Sequence, residues 1–354
     1  MRKLRLAILE SETPDNYVLW IKACESMKDS VDWAVVNITK SSWLQDILGG
    51  SFDGILATPS GNSISFKILY DERVTILNKV CGIPVFPSLE EILIYENKKY
   101  LSYWLEANRI PHPKTWIFYS EEEALQFIRT KVFPIVAKTN IGASGSGVTI
   151  LYSLSEGQKY IAKAFSGEGI KRKVGPKWRR KGFAKRVITK LVNLRELKVK
   201  LASYRMARAE IQKDFILLQE YIPHSYEWRC VRIGDSFFAH KKLKYRDKAS
   251  GSLLKKYDPP PFELLNFIKE ITDLKGFKSQ AIDVFVSENG TYLVNEMQCI
   301  FGQSDPYQML INGQPGRYIF DKGEWIFEAG NFTEFECFLL RLQTFVLILA
   351  GAFV

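Results

Sequence analysis

The first ninety-five residues alternate short apolar runs, LRLAILE, DWAVVNI, FDGILAT and GIPVF, with stretches of helical spacing such as the one through Trp20. Runs of this length, followed by turn signals such as Thr58-Pro59-Ser60-Gly61, are the pattern of a parallel sheet covered by helices. A small parallel α/β unit is therefore expected over residues 1–95.

A second unit follows. From Asn97 the segment KKYLSYWLEANR has helical spacing and ends at Ile110-Pro111-His112-Pro113, after which TWIFY reads as a strand and EEEALQFIRTK as a helix. FPIVAKT, residues 133–139, is a strand that runs into Gly142-Ala143-Ser144-Gly145-Ser146-Gly147 and out through another strand, VTILY. The glycine run of a P-loop or of a dinucleotide fold opens a helix, whereas this one joins two antiparallel strands, so neither fold is indicated. Strand signals return at FILLQEYI, WRCVRIGDSFFAHKKL, SQAIDVFV and TYLVNEMQ, and Asn289-Gly290 is predicted to turn the last two into a hairpin.

Composition narrows the class. At 354 residues, 46% hydrophobic and 25% charged, the chain can bury one large core or two or three modest ones. Gly 23 and Pro 14 are ordinary usage, which removes collagen-like and low-complexity readings. No uncharged apolar stretch reaches about 18 residues, and MRKLRLAILESE meets Glu10 and Glu12 before a signal-peptide core is complete, so a cytoplasmic protein is expected. The run Thr344–Val354 is too short to span a bilayer and reads as a C-terminal core helix. Cys24, Cys81, Cys230, Cys299 and Cys337 form no CxxC pair and read as buried thiols. His112, His224 and His240 lie far apart without metal-ligand spacing, so any metal has to be held by oxygen.

The net charge of +10 is unevenly placed: residues 156–213 hold eighteen Lys and Arg against four acids, a surplus of 14 that leaves the remainder at −4. The densest run is KRKVGPKWRRKGFAKR, Lys171 to Arg186, and helical spacing continues from Val187 to about Gln212. This reads as a basic helical insertion whose field attracts an anionic partner over roughly 8 Å at physiological salt. Uronic-acid polymers, phosphorylated glycans, acidic peptides and anionic lipid all qualify. Tyr160, Phe165, Trp178, Phe183 and Tyr204 are too sparse for a base-stacking platform, so nucleic acid is not the expected partner.

A Lys opening a helix before IPHP, a Lys ending a strand before the glycine loop, a strand with Gln219-Glu220 and acids in the final hairpin stand in an order that resembles the ATP-grasp superfamily, from about Asn97 to Asp305. The resemblance implies two α+β lobes, residues 96–155 and 214–354, that close on ATP and Mg²⁺ and follow the Rossmann-like domain. In its terms Lys98 and Lys138 contact the phosphates, and Gly142, Ser144, Gly145, Ser146 and Gly147 lay backbone N–H groups over them. Gln219, Glu220, Tyr221 and Ile222 read the adenine edge. Glu227, seven residues after Glu220, falls where D-alanine:D-alanine ligases place the carboxylate that holds the ribose. Asp283, Glu296 and Gln298 are the implied ligands of Mg²⁺, or of Mn²⁺ in its place, since both take oxygen donors.

Two positions depart from the pattern. Gln298 stands where the family has Asn, and Ala281 stands where those ligases carry an Arg two residues before the first metal carboxylate. Arg229, then Arg246 and Lys256, are the candidates for the missing oxyanion cation. The segments RDKASGSLLKKYDPPP and NEMQCIFGQSDPYQMLINGQPGRY further resemble ATP-grasp proteins associated with bacterial surface polysaccharides.

The implied function is an ATP-dependent ligase that converts a carboxylate to an acyl phosphate and joins it to an amine. Its expected acceptor is anionic, a surface glycan, an acidic peptide or a lipid-linked precursor, met in the cytoplasm or at the inner face of the membrane. Two alternatives stand beside it. One is a kinase of the same fold; the other is a non-catalytic module that docks on nucleic acid or anionic membrane through the basic insertion.

Overall fold

The computed structural model describes residues 2–13, 15–61, 63–142, 146–172, 209–245, 248–249 and 254–352. The chain divides into two compact units, one of Met1–Pro59, Ile68–Pro113 and Ile222–Val354, the other of Ser60–Lys67 and Lys114–Tyr221.

The first unit opens with the expected parallel sheet. Strands β1 (Leu4–Glu10), β2 (Val31–Asn37), β3 (Gly54–Leu56) and β4 (Val85–Phe86) lie in the order β2-β1-β3-β4. The intervening helices are α1 (Val18–Ser26), α2 (Trp43–Gly50) and α3 (Ile64–Thr75), the last belonging to this unit from Ile68 onward, followed by α4 (Leu89–Ile94) and α5 (Lys98–Ala107). Leu6, Ala7, Ile8 and Leu9 are all fully buried, because β1 is covered on both faces. Ala7 and Leu9 pack with Ile47, Tyr70 and Leu77, whereas Leu6 and Ile8 face Trp20. Ser88 and Glu91 close a reciprocal capping box at α4, and the Asn97 side chain caps α5 by accepting from Tyr100 N at 3.2 Å.

The second unit contains β5 (Thr115–Phe118), α6 (Glu121–Arg129), β6 (Ile135–Lys138), β7 (Val148–Leu151), α7 (Leu154–Phe165), β8 (Ile170–Lys171), β9 (Ile211–Gln212) and β10 (Ile216–Glu220). Its main sheet is antiparallel in the order β5-β10-β6-β7, so the glycine run does join two antiparallel strands. Ile135 and Ala137, and likewise Ile216 and Leu218, send alternate side chains into a core with Ala124, Ile128, Ile161 and Ala164 of the two helices. Ser120 and Ser153 cap those helices by accepting from Glu123 N and Glu156 N, both at 3.3 Å. The helical spacing expected to reach Gln212 ends earlier: Ile211 and Gln212 form a ladder with Ile170 and Lys171. A tertiary bond holds Gln212 there, its Oε1 accepting from Asn140 N at 2.7 Å. Residues 173–208, with most of the basic insertion, lie outside the described residues.

The first unit is completed by a large sheet. Its strands are β11 (Tyr226–Ile233), β12 (Ser236–Tyr245), β13 (Lys248–Ala249), β14 (Lys255–Lys256), β15 (Ser279–Val286), β16 (Tyr292–Gln298), β17 (Leu310–Ile311), β18 (Gln314–Asp321) and β19 (Glu324–Ala329), with α8 (Phe262–Asp273) before β15. The order is β16-β15-β11-β12-β18-β17, with β13 and β14 pairing to β12 and β19 to β18. The Asn289-Gly290 hairpin is present, Gly290 at φ +81°. The β18–β19 hairpin had no expectation. Its signal is the tight turn at Lys322 and Gly323, φ 48° and 91°, between alternating flanks.

The chain ends in α9 (Phe338–Leu349), which supplies Phe338, Leu342 and Phe345 to the core beside Leu6, Ile8 and Trp20. Phe338 stands edge-on to Trp20 at 4.7 Å, and Trp20 Nε1 donates to Thr58 Oγ1 at 3.1 Å. Burying each such Phe contributes about 1.5–3 kcal/mol, which is what places an apolar C-terminal helix in the core. No described helix is long and apolar enough to cross a membrane.

Candidate functional site

Alternation along four neighbouring strands of the large sheet brings distant ionisable residues to one face. Glu227 stands opposite Lys242, and Arg229 opposite His240 on one side and Asp283 on the other. Asp283 in turn faces Glu296, Ala281 faces Gln298, and Lys242 faces Lys255. Residues two apart on a strand point the same way, so these pairs form a continuous polar patch. A register shift after Asp283 leaves Asn295 extra, and its amide donates to Glu227 Oε2 at 3.1 Å.

The centre of the patch is a buried ion network. Arg229 donates from Nε and Nη2 to the two oxygens of Asp283 at 2.8 and 2.9 Å. Lys242 Nζ sits between Asp283 Oδ2 at 2.7 Å and Glu227 Oε1 at 2.5 Å. Burial alone would raise the Asp283 carboxyl, but Arg229 and Lys242 hold it far below the ordinary carboxylate range. Burial likewise works against the charges on Arg229 and Lys242, and the neighbouring carboxylates reverse it, leaving both firmly protonated.

His240 is buried next to this network. Its Nδ1 lies 2.8 Å from the Gln308 carbonyl, which can only accept, so the proton is on Nδ1 and the Nε2 lone pair has no partner among the described residues. Burial, then Lys255 and Arg229, push its pKa down to about 3. Lys255 and the Tyr257 hydroxyl both bond Asp305, at 2.8 and 2.7 Å.

On the other side of Asp283 the chemistry changes. Glu296 is half-buried and accepts from the neutral Gln298 amide at 3.2 Å, and the same amide reaches Glu96 Oε1 at 3.4 Å. Lys98 Nζ lies 3.8 Å from Glu96 Oε2. Gln298 thus presents its N–H to both carboxylates, and no group of three or more His, Cys, Asp or Glu that could hold a metal ion occurs among the described residues. Asp283 has both its oxygens committed to protein cations.

The candidates in the second unit are described by themselves. Lys138 ends β6 with its side chain largely buried, opposite Leu217 and Val148. Thr139 N donates to Gly147 O at 2.8 Å, and Thr139 Oγ1 donates to Ile141 O at 3.0 Å, which closes the base of the glycine loop. A Cβ on Gly147 would lie 1.8 Å from Thr139 Oγ1, so only glycine fits. Gly147→Ala is expected to cost about 1–3 kcal/mol by overpacking, read as a lower urea midpoint. An unchanged midpoint would show that Thr139 turns aside freely. Gly142, at φ 151°, and Ser146 belong to the same loop; Ser144 and Gly145 lie outside the described residues.

Gln219 Nε2 donates to Thr115 Oγ1 at 2.9 Å, and Glu220 Oε2 accepts from Lys114 N at 3.3 Å. Both side chains thus turn back onto β5 and its approach. The β10 ladder ends at Glu220, so Tyr221 lies past the last pair, and so does Ile222, the first residue of the other unit's final segment. Of the oxyanion candidates, Arg229 is held by Asp283, Lys256 is exposed and paired with Asp258 at 3.0 Å, and Arg246 lies outside the described residues.

Lys242, His240 and Glu96 escaped the reading of the sequence. The alternation AHKKLKY in β12 marks a polar face, but which lysine meets which acid depends on register, which periodicity does not specify.

No protein-family model matches the chain. The carbamoyl phosphate synthase large chain of Methanocorpusculum labreanum is 26% identical over 129 residues, 34% of this chain and 12% of that one. The alpha-aminoadipate–LysW ligase LysX of Saccharolobus solfataricus is 29% identical over 90 residues, 24% of this chain and 33% of that one. The chain thus spans a third or less of the curated relatives it matches. Among solved structures, a D-alanine–D-alanine ligase from Bacillus anthracis is similar over 99% of this chain and 100% of its own, with TM-score 0.52 and 14% identity. An ADP complex of the N5-carboxyaminoimidazole ribonucleotide synthetase PurK gives TM-score 0.54 at 13% identity, over 89% of this chain and 76% of that chain. A RimK-domain ATP-grasp protein from Sphaerobacter thermophilus gives 0.51 at 16%, over 83% of this chain and 90% of that chain. With a parallel N-terminal sheet, a glycine loop between antiparallel strands and a large antiparallel sheet bearing the charged face, this chain has the fold of the ATP-grasp superfamily.

Proposed function

We propose that the chain is an ATP-dependent carboxylate–amine ligase. The observation that carries the reading is the charged face of the large sheet, where Glu227, Lys242, Arg229, Asp283 and Glu296 stand in register on an ATP-grasp fold. The names of the similar proteins, a D-alanine–D-alanine ligase and a LysW ligase among them, support the reaction class.

In this reading a substrate carboxylate oxygen attacks the γ-phosphorus of ATP, the bond to the β–γ bridging oxygen breaks and ADP leaves. An amine nitrogen then attacks the acyl carbon, the carbon–oxygen bond to phosphate breaks, and the amine's proton passes to solvent. Lys98 and Lys138 offset phosphate charge as compact point cations. The glycine loop lays backbone over the phosphates and keeps water from the acyl phosphate. A divalent cation, which the resemblance assigns to Asp283, Glu296 and Gln298, would supply further neutralisation of the phosphates. Tyr221 and Ile222 offer backbone for the adenine edge. The acceptor is proposed to be anionic, such as a glycan, acidic peptide or lipid-linked precursor, on the strength of the basic run Lys171 to Arg186.

Calorimetry with ATP tests the reading without knowledge of the acceptor. Binding is expected to depend on Mg²⁺ and to weaken at least about tenfold in Glu296→Gln, the loss of about 1.4 kcal/mol. Magnesium-independent or absent binding would reject it. Trapping with hydroxylamine then separates a ligase, which yields a hydroxamate, from a kinase, which does not.

A further inference from the structure

The glycine loop of the second unit is tied down at both of its ends. Gly142 to Gly147 holds three glycines in six residues, and glycine loses more conformational freedom than any other residue when it is ordered, so the fixed ends govern how readily the loop settles over a ligand. At the far end Thr139 N donates to Gly147 O at 2.8 Å. At the near end Asn140 N donates to Oε1 of Gln212, 72 residues later, at 2.7 Å. The Gln212 side chain is buried, and its Nε2 donates in turn to the Phe215 carbonyl at 3.4 Å, just before β10. Its backbone pairs with Ile170 in the β8–β9 ladder, where Gly169 lies at φ 61° and a Cβ would come 2.7 Å from the Gln212 carbonyl oxygen. Arg172 follows β8 and runs along the loop: a Cβ on Gly142 would lie 3.1 Å from its Cδ. Thr139, Ile141, Ile170, Arg172 and Gln212 line one small cavity, so loop and ladder are in direct contact. The basic run begins in this ladder, at Lys171.

We propose that Gln212 is a positioning residue for the nucleotide: its amide oxygen holds the Asn140 peptide, and with it the first half of the glycine loop, in the conformation that covers the phosphates. Gln212 acts through the loop backbone rather than on the nucleotide itself. Without its oxygen the Asn140 N–H loses its partner in that conformation, and the loop settles less readily. The same residue is a rung of the β8–β9 ladder, so ordering the loop and ordering the ladder favour one another, and nucleotide bound under the loop tightens the root of the basic insertion. The inference rests on the nucleotide-binding reading and adds to it a residue remote in sequence from the loop.

Hydrogen exchange and calorimetry on the full chain test it, with adenylyl imidodiphosphate and Mg²⁺ as the probe and adenosine as the control that lacks phosphates. In the wild type the analogue is expected to slow exchange by at least about threefold at Asn140 and also at Ile170, Lys171, Ile211 and Gln212 of the ladder. Protection confined to the loop would overturn the inference. In Gln212→Met, which keeps much of the side-chain volume but not the acceptor, affinity for the analogue is expected to fall about tenfold while that for adenosine stays within about threefold, and the ladder loses its protection. Equal losses for the two ligands, or none for the analogue, would overturn it, because general damage to the unit does not tell phosphates from adenine. Should Gln212→Met fail to fold, the wild-type exchange pattern decides alone. A wild type that binds neither ligand would instead sink the nucleotide reading itself, and the inference with it.

Discussion

Lys242→Met is expected to lower the stability of the chain by about 3–5 kcal/mol, the usual cost of breaking a buried ion pair from one side. The methionine fills much of the same volume, so the loss is electrostatic. Glu227 and Asp283 would be left in a closed environment with Arg229 alone, one negative charge in excess. Replacing Glu227 with Gln in the same chain removes that excess and leaves the Arg229–Asp283 pair intact. The double variant is therefore expected to recover most of the loss, with a coupling energy above about 2 kcal/mol. Urea unfolding of the wild type, both single variants and the double variant measures it. Additive losses would mean that Lys242 and Glu227 do not act as a pair.

The second large effect is a pH dependence in which two buried groups oppose each other. His240 is held neutral with a folded pKa of about 3, below its ordinary 6.5. Between those values the unfolded chain binds a proton that the folded chain refuses, so stability rises with pH at about 1.4 kcal/mol per unit. Glu91 behaves in the other sense. Burial raises it from 4.5 to about 7, even though Ser279 N and Ser88 N donate to it at 2.8 Å. Between 4.5 and 7 the folded chain keeps a proton that the unfolded chain releases, so stability falls with pH at a similar rate.

The two slopes cancel from about pH 4.5 to 6.5, and each appears when the other group is removed. Glu91→Gln is expected to gain stability continuously from about pH 3 to 6.5. His240→Asn, which keeps a donor near the Gln308 carbonyl, is expected to lose it from about 4.5 to 7. Chemical denaturation across this range reads both. Parallel curves for wild type and Glu91→Gln would show that Glu91 titrates as it does in water.

Much of this molecule is legible in residue order. The apolar runs of the N-terminal sheet, SQAIDVFV as the whole of β15, the turn at Gly290 and the glycine loop between β6 and β7 all follow from local patterns. The β18–β19 hairpin was missed because its charged and aromatic alternation is weak until Trp325 and Phe327 are seen packing on the large sheet's core. The end of the helical spacing at Ile211 was missed for another reason. A bond from Asn140, about seventy residues earlier, holds Gln212 in a ladder where local propensity favours helix.

Local order determined which residue types this chain could bring to a site: acids on alternating strands, lysines at element ends and small residues where backbone must approach closely. Only the tertiary structure decided their partners. Asp283 meets Arg229 and Lys242, 54 and 41 residues away, while Glu296 has no ion-pair partner among the described residues. Periodicity assigns a side chain to a face, but strand order and register choose its neighbours, and between buried charges the neighbour sets the chemistry.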